Sequence, residues 1–248
     1  MSDLSWNEVD RLVTLDDAGK ASIMVHPRTL SMYEGELVAS KPLPGSDFTN
    51  FEIDPRAQSQ LLNHVGVPES YYSSVRERNP DLADSMANDA LFHSQGKGRI
   101  MVRSKNRRVR AVLTESYSIL DNRRVIDLVQ DCIESSCVPV TIRDFFADDA
   151  SMWFRATFND IEVRDPTAKE LLQAGLVIGN SEVGTRNFVA WPFLFRPICL
   201  NTAIPVRGKR TKRKHTGRIS PEALRDSIMR SIAYVARKGA EMIEESLR

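Results

Sequence analysis

The chain has 248 residues, of which 42% are hydrophobic and 27% charged, and its formal net charge is +1. These are ordinary values for a globular protein, and the length is enough to bury a core as one large domain or two small ones. Cys132, Cys137 and Cys199 form no CxxC pair, which excludes a disulfide framework and makes them small buried hydrophobes in a reducing compartment. His26, His64, His93 and His215 are scattered, without the spacing of a structural zinc site, and no cofactor motif is present.

Met1-Ser2-Asp3-Leu4-Ser5-Trp6 lacks the basic-then-apolar pattern of an export signal. No apolar run approaches the ~20 residues that cross a bilayer. A cytoplasmic protein with no membrane partner is expected.

Residues 1–50 read as irregular, with a loop at Lys41-Pro-Leu-Pro-Gly-Ser46. Asp54-Pro55 then predicts a helix start, with Asp54 as cap, running to about Val65 and stopping at Gly66. Pro68 opens a second helix carrying Tyr71 and Tyr72. Pro80 opens a third, with Leu82, Met86, Ala90 and Leu91 near one face.

The next stretch predicts a hairpin, Arg99–Ser104 and Arg107–Leu113 about a Lys105-Asn106 turn. Strand alternation puts Ile100 and Val102 on one face, against Val109, Ala111 and Leu113. The other face then collects Arg99, Arg103, Arg108 and Arg110. It reads either as a cationic surface or as an arginine-rich solvent face, and both readings stand.

Asp121 is the expected cap of a helix whose buried stripe is Val125, Ile126, Val129, Cys132 and Ile133. Three strand-like segments follow: Met152–Val163, Leu176–Ile178, and Asn187–Cys199. In the first, Met152, Phe154, Ala156 and Phe158 share a face. Pro192 and Pro197 mark the last as an edge strand or a bulge.

Arg207-Gly-Lys-Arg-Thr-Lys-Arg-Lys-His-Thr-Gly-Arg218 holds seven Lys or Arg in twelve residues and no acid. Because the whole chain carries only +1, positive charge is concentrated here. Packed like charges repel, so such a run usually faces a polyanion, nucleic acid above all; the alternative is a solvated loop. Ser220-Pro221-Glu222 then starts a helix with an apolar stripe at Leu224, Ile228, Ile232, Val235, Met242 and Leu247. The fold class is α+β: an antiparallel sheet with a hairpin-helix unit, flanking helices and a long C-terminal helix. The expected organisation is an irregular segment 1–50, a core 51–206, a basic loop 207–220, and a helix 221–248 packed on the core.

Ile100-Met-Val-Arg103 with Val109-Arg-Ala-Val-Leu-Thr-Glu-Ser-Tyr-Ser-Ile-Leu-Asp-Asn122 resembles a phage- and plasmid-related prokaryotic family long known only as a domain of unknown function. Asn180-Ser-Glu-Val-Gly184, Cys199-Leu-Asn201 and the basic loop with His215-Thr-Gly217 fit the same pattern. Thr202 stands where that family has Gly. The resemblance implies mobile-element biology. A weaker analogy connects the hairpin-helix unit to single-strand annealing recombinases, which pair strands without nucleotide hydrolysis and assemble as rings.

No P-loop, GxGxxG, HExxH or GxSxG motif occurs. A metal-dependent nuclease would draw on Asp144, Asp148 and Asp149, or on Glu182, although such acids more often cap helices or face solvent. Cys199 and His215 have no orienting third group. Binding without catalysis is the expectation, and it needs cations for phosphates and aromatic faces for bases. The predicted nucleic-acid contacts are Arg99, Arg103, Arg108 and Arg110 with Arg207, Lys209, Arg210, Lys212, Arg213, Lys214, His215 and Arg218. Tyr117, Phe188 and Trp191 are the stacking candidates, whereas Trp153, Phe154 and Phe158 are assigned to the core. The expected partner is single-stranded DNA bound by a homo-oligomer, in recombination or replication. A nuclease, or an inhibitory or structural protein docking on an acidic host partner, are the alternatives.

Overall fold

The computed structural model describes residues 3–42, 48–164, 171–195, 203–205, 211–215, 217 and 219–246. In chain order the elements are α1 (Trp6–Asp17), β1 (Lys20–Val25), β2 (Leu30–Tyr33), β3 (Glu36–Ala39), β4 (Asn50–Ile53), α2 (Pro55–Val65), α3 (Glu69–Arg78), α4 (Pro80–Phe92), β5 (Ile100–Lys105) and β6 (Arg108–Thr114). There follow α5 (Asn122–Ser136), β7 (Val140–Ala147), β8 (Met152–Arg164), β9 (Leu171–Asn180), β10 (Phe188–Phe195), β11 (Ala203–Pro205), β12 (Thr211–Arg213) and α6 (Pro221–Ser246). The fold is α+β. Residues 1–50 are not irregular: they hold a helix and three strands.

The chain forms two compact units, one of Ala18–Tyr117 and one of Met1–Asp17 with Ser118–Arg248. This differs from a single core over 51–206, because the first helix joins the second half of the chain. Trp6 of α1 stacks on Phe154 of β8, with ring centroids 5.6 Å apart.

In the Ala18–Tyr117 unit the sheet order is β1-β5-β6-β4-β3-β2. Five strand spacings would separate β1 from β2 by about 24 Å in a flat sheet. Only residues 26–29 join them, a reach of about 18 Å, so this sheet curls. Asp54 caps α2 by accepting from the Arg56 amide, and Gly66 ends the helix at φ 88°, as the sequence predicts. Leu61 and Leu62 of α2, Tyr72 of α3 and Leu91 of α4 fill the core with Phe51 and Val102 of the sheet.

The hairpin carries the main correction. Arg103 pairs with Ala111 but Ser104 pairs with Val109, which leaves Arg110 as the extra residue of a bulge. One inserted residue moves all later side chains to the opposite face. The apolar face is therefore Ile100, Val102, Val109 and Val112, not Ala111 and Leu113. Arg103 and Arg110 are each only 3% exposed. Arg99 is ion-paired with Glu115, and Arg108 with Asp54. The four arginines thus form no open cationic surface.

In the other unit the sheet order is β11-β10-β9-β8-β7, and β12 also pairs with β10. Met152, Phe154, Ala156 and Phe158 of β8 and Leu172, Ala174, Leu176 and Ile178 of β9 pack with α5 and α6. The predicted stripe of α5 is buried in full, and that of α6 is buried from Leu224 through Met242; Leu247 lies outside the described residues. Gly239 lets α6 lie close on the sheet, since a Cβ there would come within 2.5 Å of Ile161 Cγ2. Cys132 is buried as expected, but Cys137 is exposed at the end of α5 with φ 53°. Cys199 is outside the described residues.

Tyr72 ties α3 to α4 by donating to Asp84 at 2.8 Å, and Arg76 donates to both. Burial, reinforced by Asp84, pushes the phenol up to about 12. The raised value means that Tyr72 contributes stability below its ordinary pKa of 10.0, and loses that contribution as pH rises through about 12. Tyr72→Phe should lower stability by about 1–3 kcal/mol, the cost of leaving a buried acceptor short of its donor. Urea denaturation of the variant at neutral pH measures this, and an unchanged midpoint would contradict it.

Candidate functional site

Successive side chains of a strand point to opposite faces. With Met152, Phe154, Ile178 and Ala190 turned toward the helices, the intervening residues of β8, β9 and β10 must occupy the other face. Register fixes the rows. Phe146 of β7 pairs with Trp153, Trp153 with Gly179, Gly179 with Val189, and Val189 with Lys212 of β12. The next row is Asp144, Arg155, Val177 and Trp191.

Trp153 and Trp191 meet on this face, their ring centroids 5.9 Å apart and their planes 39° from parallel. Both are half-buried. Gly179 explains how Trp153 can lie across β9. A Cβ at Gly179 would come within 2.5 Å of Trp153 Cζ3 and 2.8 Å of Val189 Cγ2. Arg186 places its guanidinium 5.4 Å from the Trp153 ring centroid, within cation–π range. Together with Lys212 these residues line an open cleft of about 390 Å³, with Thr185 and Asn187 at its rim.

A second cleft of about 410 Å³ shares Lys212 and is lined by Arg213 and Lys214 on one side and by Ser220, Ala223 and Leu224 on the other. Lys212, Arg213 and Lys214 are exposed. Arg213 also lies 3.4 Å from Ser227 Oγ. Several cations elsewhere in this unit are ion-paired, Arg123 with Asp10 and Asp127, Arg143 with Asp3, Arg155 with Asp144, Arg225 with Asp131 and Lys238 with Glu241, whereas Arg11, Arg124, Arg230 and Arg237 form none among the described residues. Among the described residues, Arg186, Lys212, Arg213 and Lys214 form no ion pair. Two of these, Arg186 and Lys212, stand in the cleft beside the indoles, while Arg213, paired with core-facing Phe188, turns to the α6 side.

The loop from β9 to β10 holds Arg186 in place. Ser181 and Thr185 both donate to the Ala150 carbonyl, at 2.7 and 3.0 Å. Glu182, only 2% exposed, accepts from the Asn122 amide at 2.8 Å. Glu182 thus satisfies the first amide of α5, a role the sequence suggested for Asp121, whose side chain makes no cap bond. Asn180 donates to Leu120 O and Asn122 Oδ1, and Asn122 donates to Asp16. The Asn180–Gly184 block is therefore a structural anchor.

Only part of the predicted basic contact set falls here. Thr211–Arg213 is a strand, not a loop. His215 is 4% exposed, and its carbonyl accepts from the Ser118 amide, so its side chain does not face this cleft. Arg207, Lys209, Arg210 and Arg218 lie outside the described residues. Phe188 is fully buried, so it is no stacking residue, and Tyr117 belongs to the other unit. Trp153 leaves the core to which the sequence reading assigned it, whereas Phe154 and Phe158 keep their places.

Three of the four acids of the nuclease reading, Asp144, Asp148 and Glu182, take structural roles. Asp144 is bonded to Arg155, and Asp148 closes a turn by accepting from the Ala150 and Ser151 amides. Among the described residues no group of three or more His, Cys, Asp or Glu is placed to hold a metal ion. Among the same residues no helix is long and apolar enough to cross a membrane.

No family model, curated protein or solved structure matches the chain. What defines the molecule is its architecture: a two-unit α+β protein carrying an aromatic, cationic sheet face.

Gly179→Ala should lift Trp153 from the sheet and crowd Val189, because the added Cβ meets both side chains at under 3.0 Å while the strand pairing is untouched. Tryptophan emission should shift to the red and become more accessible to acrylamide, with an unchanged far-ultraviolet circular dichroism spectrum. Unchanged emission would contradict the close approach.

Proposed function

We propose that this protein binds single-stranded nucleic acid, most simply DNA, through the outer face of the β7–β12 sheet. The observation that supports this reading is the juxtaposition of the Trp153–Trp191 pair with Arg186 and Lys212, two cations that no carboxylate matches among the described residues, with Arg213 and Lys214 in the adjoining cleft. An unpaired strand offers two things a surface can hold, base faces and phosphates. Indoles bind the first without regard to sequence, and Arg or Lys binds the second. Arg186, stacked on Trp153, can keep guanidinium donors available for phosphate. Lys212 stands between the two clefts, so a backbone leaving the indoles would meet Arg213 and Lys214 next. The basic run of the sequence continues the same charge.

A role in recombination or replication of a mobile element, with strand annealing by an oligomer, belongs to this proposal and draws on the family resemblance. An acidic protein partner would use the same cations but would give the paired indoles no task. A nuclease would need an acid cluster that the described carboxylates do not form.

Fluorescence anisotropy with labelled oligo(dT) and a matching duplex, over a salt titration, tests the proposal. Single-strand binding should be the tighter and should weaken with salt. Replacing Lys212, Arg213 and Lys214 together by Gln should lower the log–log salt slope by about 2, at about 0.7 per phosphate contact. Trp191→Ala should weaken binding about 5- to 150-fold while leaving that slope unchanged, since stacking releases no counterions. Equal affinity for duplex and single strand, or an unaltered slope in the triple variant, would overturn the assignment.

A further inference from the structure

The row that contains Trp153 does not end there. Phe146 of β7 is its cross-strand partner and is 55% exposed. Directly opposed residues in an antiparallel pair hold their Cβ atoms about 4.5–5.5 Å apart. Phe146 therefore extends the aromatic surface by one strand, to the edge of the sheet. An exposed phenylalanine on an edge strand has no evident structural value, because its neighbour Phe145 already supplies the side chain packed on the core.

Charge runs along the same row with a definite sign. At the β12 end stands Lys212, while Arg186, from the loop between β9 and β10, lies over Trp153 in the middle of the face. At the β7 end the hairpin turn carries Asp148, an exposed carboxylate two residues past Phe146. Its Oδ1 is held by the Ala150 and Ser151 amides, so the charge is fixed in position. Four strand spacings, about 19 Å, separate β7 from β12. A phosphate is attracted at one end and repelled at the other, whereas a base has no such bias and can lie on either ring.

Resting on the reading that this face binds nucleic acid, we propose that Phe146 is a second base-stacking position, and that the row orients the strand. The phosphates keep to the Lys212 side, within reach of Arg186 where it lies over Trp153, and the bases point across the sheet toward β7, one on the indoles and another on Phe146. The ligand class is then an unpaired strand bearing its bases. Base pairing would deny these faces to the rings, and a base-free backbone would engage only the cationic end.

The test compares two probes of equal length, oligo(dT) and an abasic deoxyribose-phosphate strand, by fluorescence anisotropy with the full chain. Phe146→Ala should weaken oligo(dT) binding about 5- to 150-fold, the range for loss of one base–aromatic stack. It should leave affinity for the abasic strand unchanged. Phe146→Leu, which keeps an apolar strand residue, should show the same selective loss and so separate stacking from folding. Equal losses for both probes, or no loss for either, would overturn the role of Phe146 while single-strand binding by the wild type stood. Failure of the wild type to bind either probe would overturn the nucleic-acid reading beneath it.

Discussion

Strand alternation is the constraint on which the candidate site depends. In β8, β9 and β10 one set of side chains must bury against α1, α5 and α6, and that set is large and apolar. The alternate set then has to face away from those helices, whatever its chemistry. Trp153, Val177, Val189 and Trp191 are on that side because Phe154, Ile178, Ala190 and Leu194 are on the other. Gly179 completes the arrangement by leaving room for an indole to cross the middle strand.

Electrostatics gives this face its character. Several cations of the unit, such as Arg123 and Arg155, are cancelled by a nearby carboxylate, and exposed pairs of that kind add little to stability. Those beside the indoles are not cancelled. Uncompensated charge on a small surface costs some stability through repulsion and gains its use when a polyanion arrives. β12 pairs with β10 over Phe188–Ala190, and β11 pairs over Phe193–Phe195. Pro192 does not mark an edge strand as expected: it pairs with Leu176 of β9, and β10 lies between β9 and the short strands β11 and β12, whose described pairings leave Pro192 out.

Much of the frame was legible in the chain. The cap at Asp54, the stop at Gly66, and the starts at Pro80 and Pro221 are local signals with local causes, and they hold. The stripes of α5 and α6 are legible because helical periodicity survives context. The candidate site was only half legible. Trp191 and the basic residues at 212–214 could be singled out, but Trp153 was grouped with Phe154, its immediate neighbour, when alternation alone forbids them a common face. The arginine face of the hairpin failed for a different reason. A single-residue bulge between β5 and β6 leaves no signature in composition, yet it reverses the facing of everything after it. Glu182 was legible as part of a distinctive block, but its bond to the start of α5 spans sixty residues, and no local pattern carries that.

The central claim is that bases lie on the two indoles, and photo-crosslinking tests it most directly. A single-stranded oligonucleotide carrying 5-iododeoxyuridine would be irradiated in complex with the full chain, and the adducts mapped by peptide mass spectrometry. Adducts at Trp153 and Trp191, suppressed by unlabelled single strand but not by duplex, are the predicted result. Adducts confined to residues outside this face would contradict the claim.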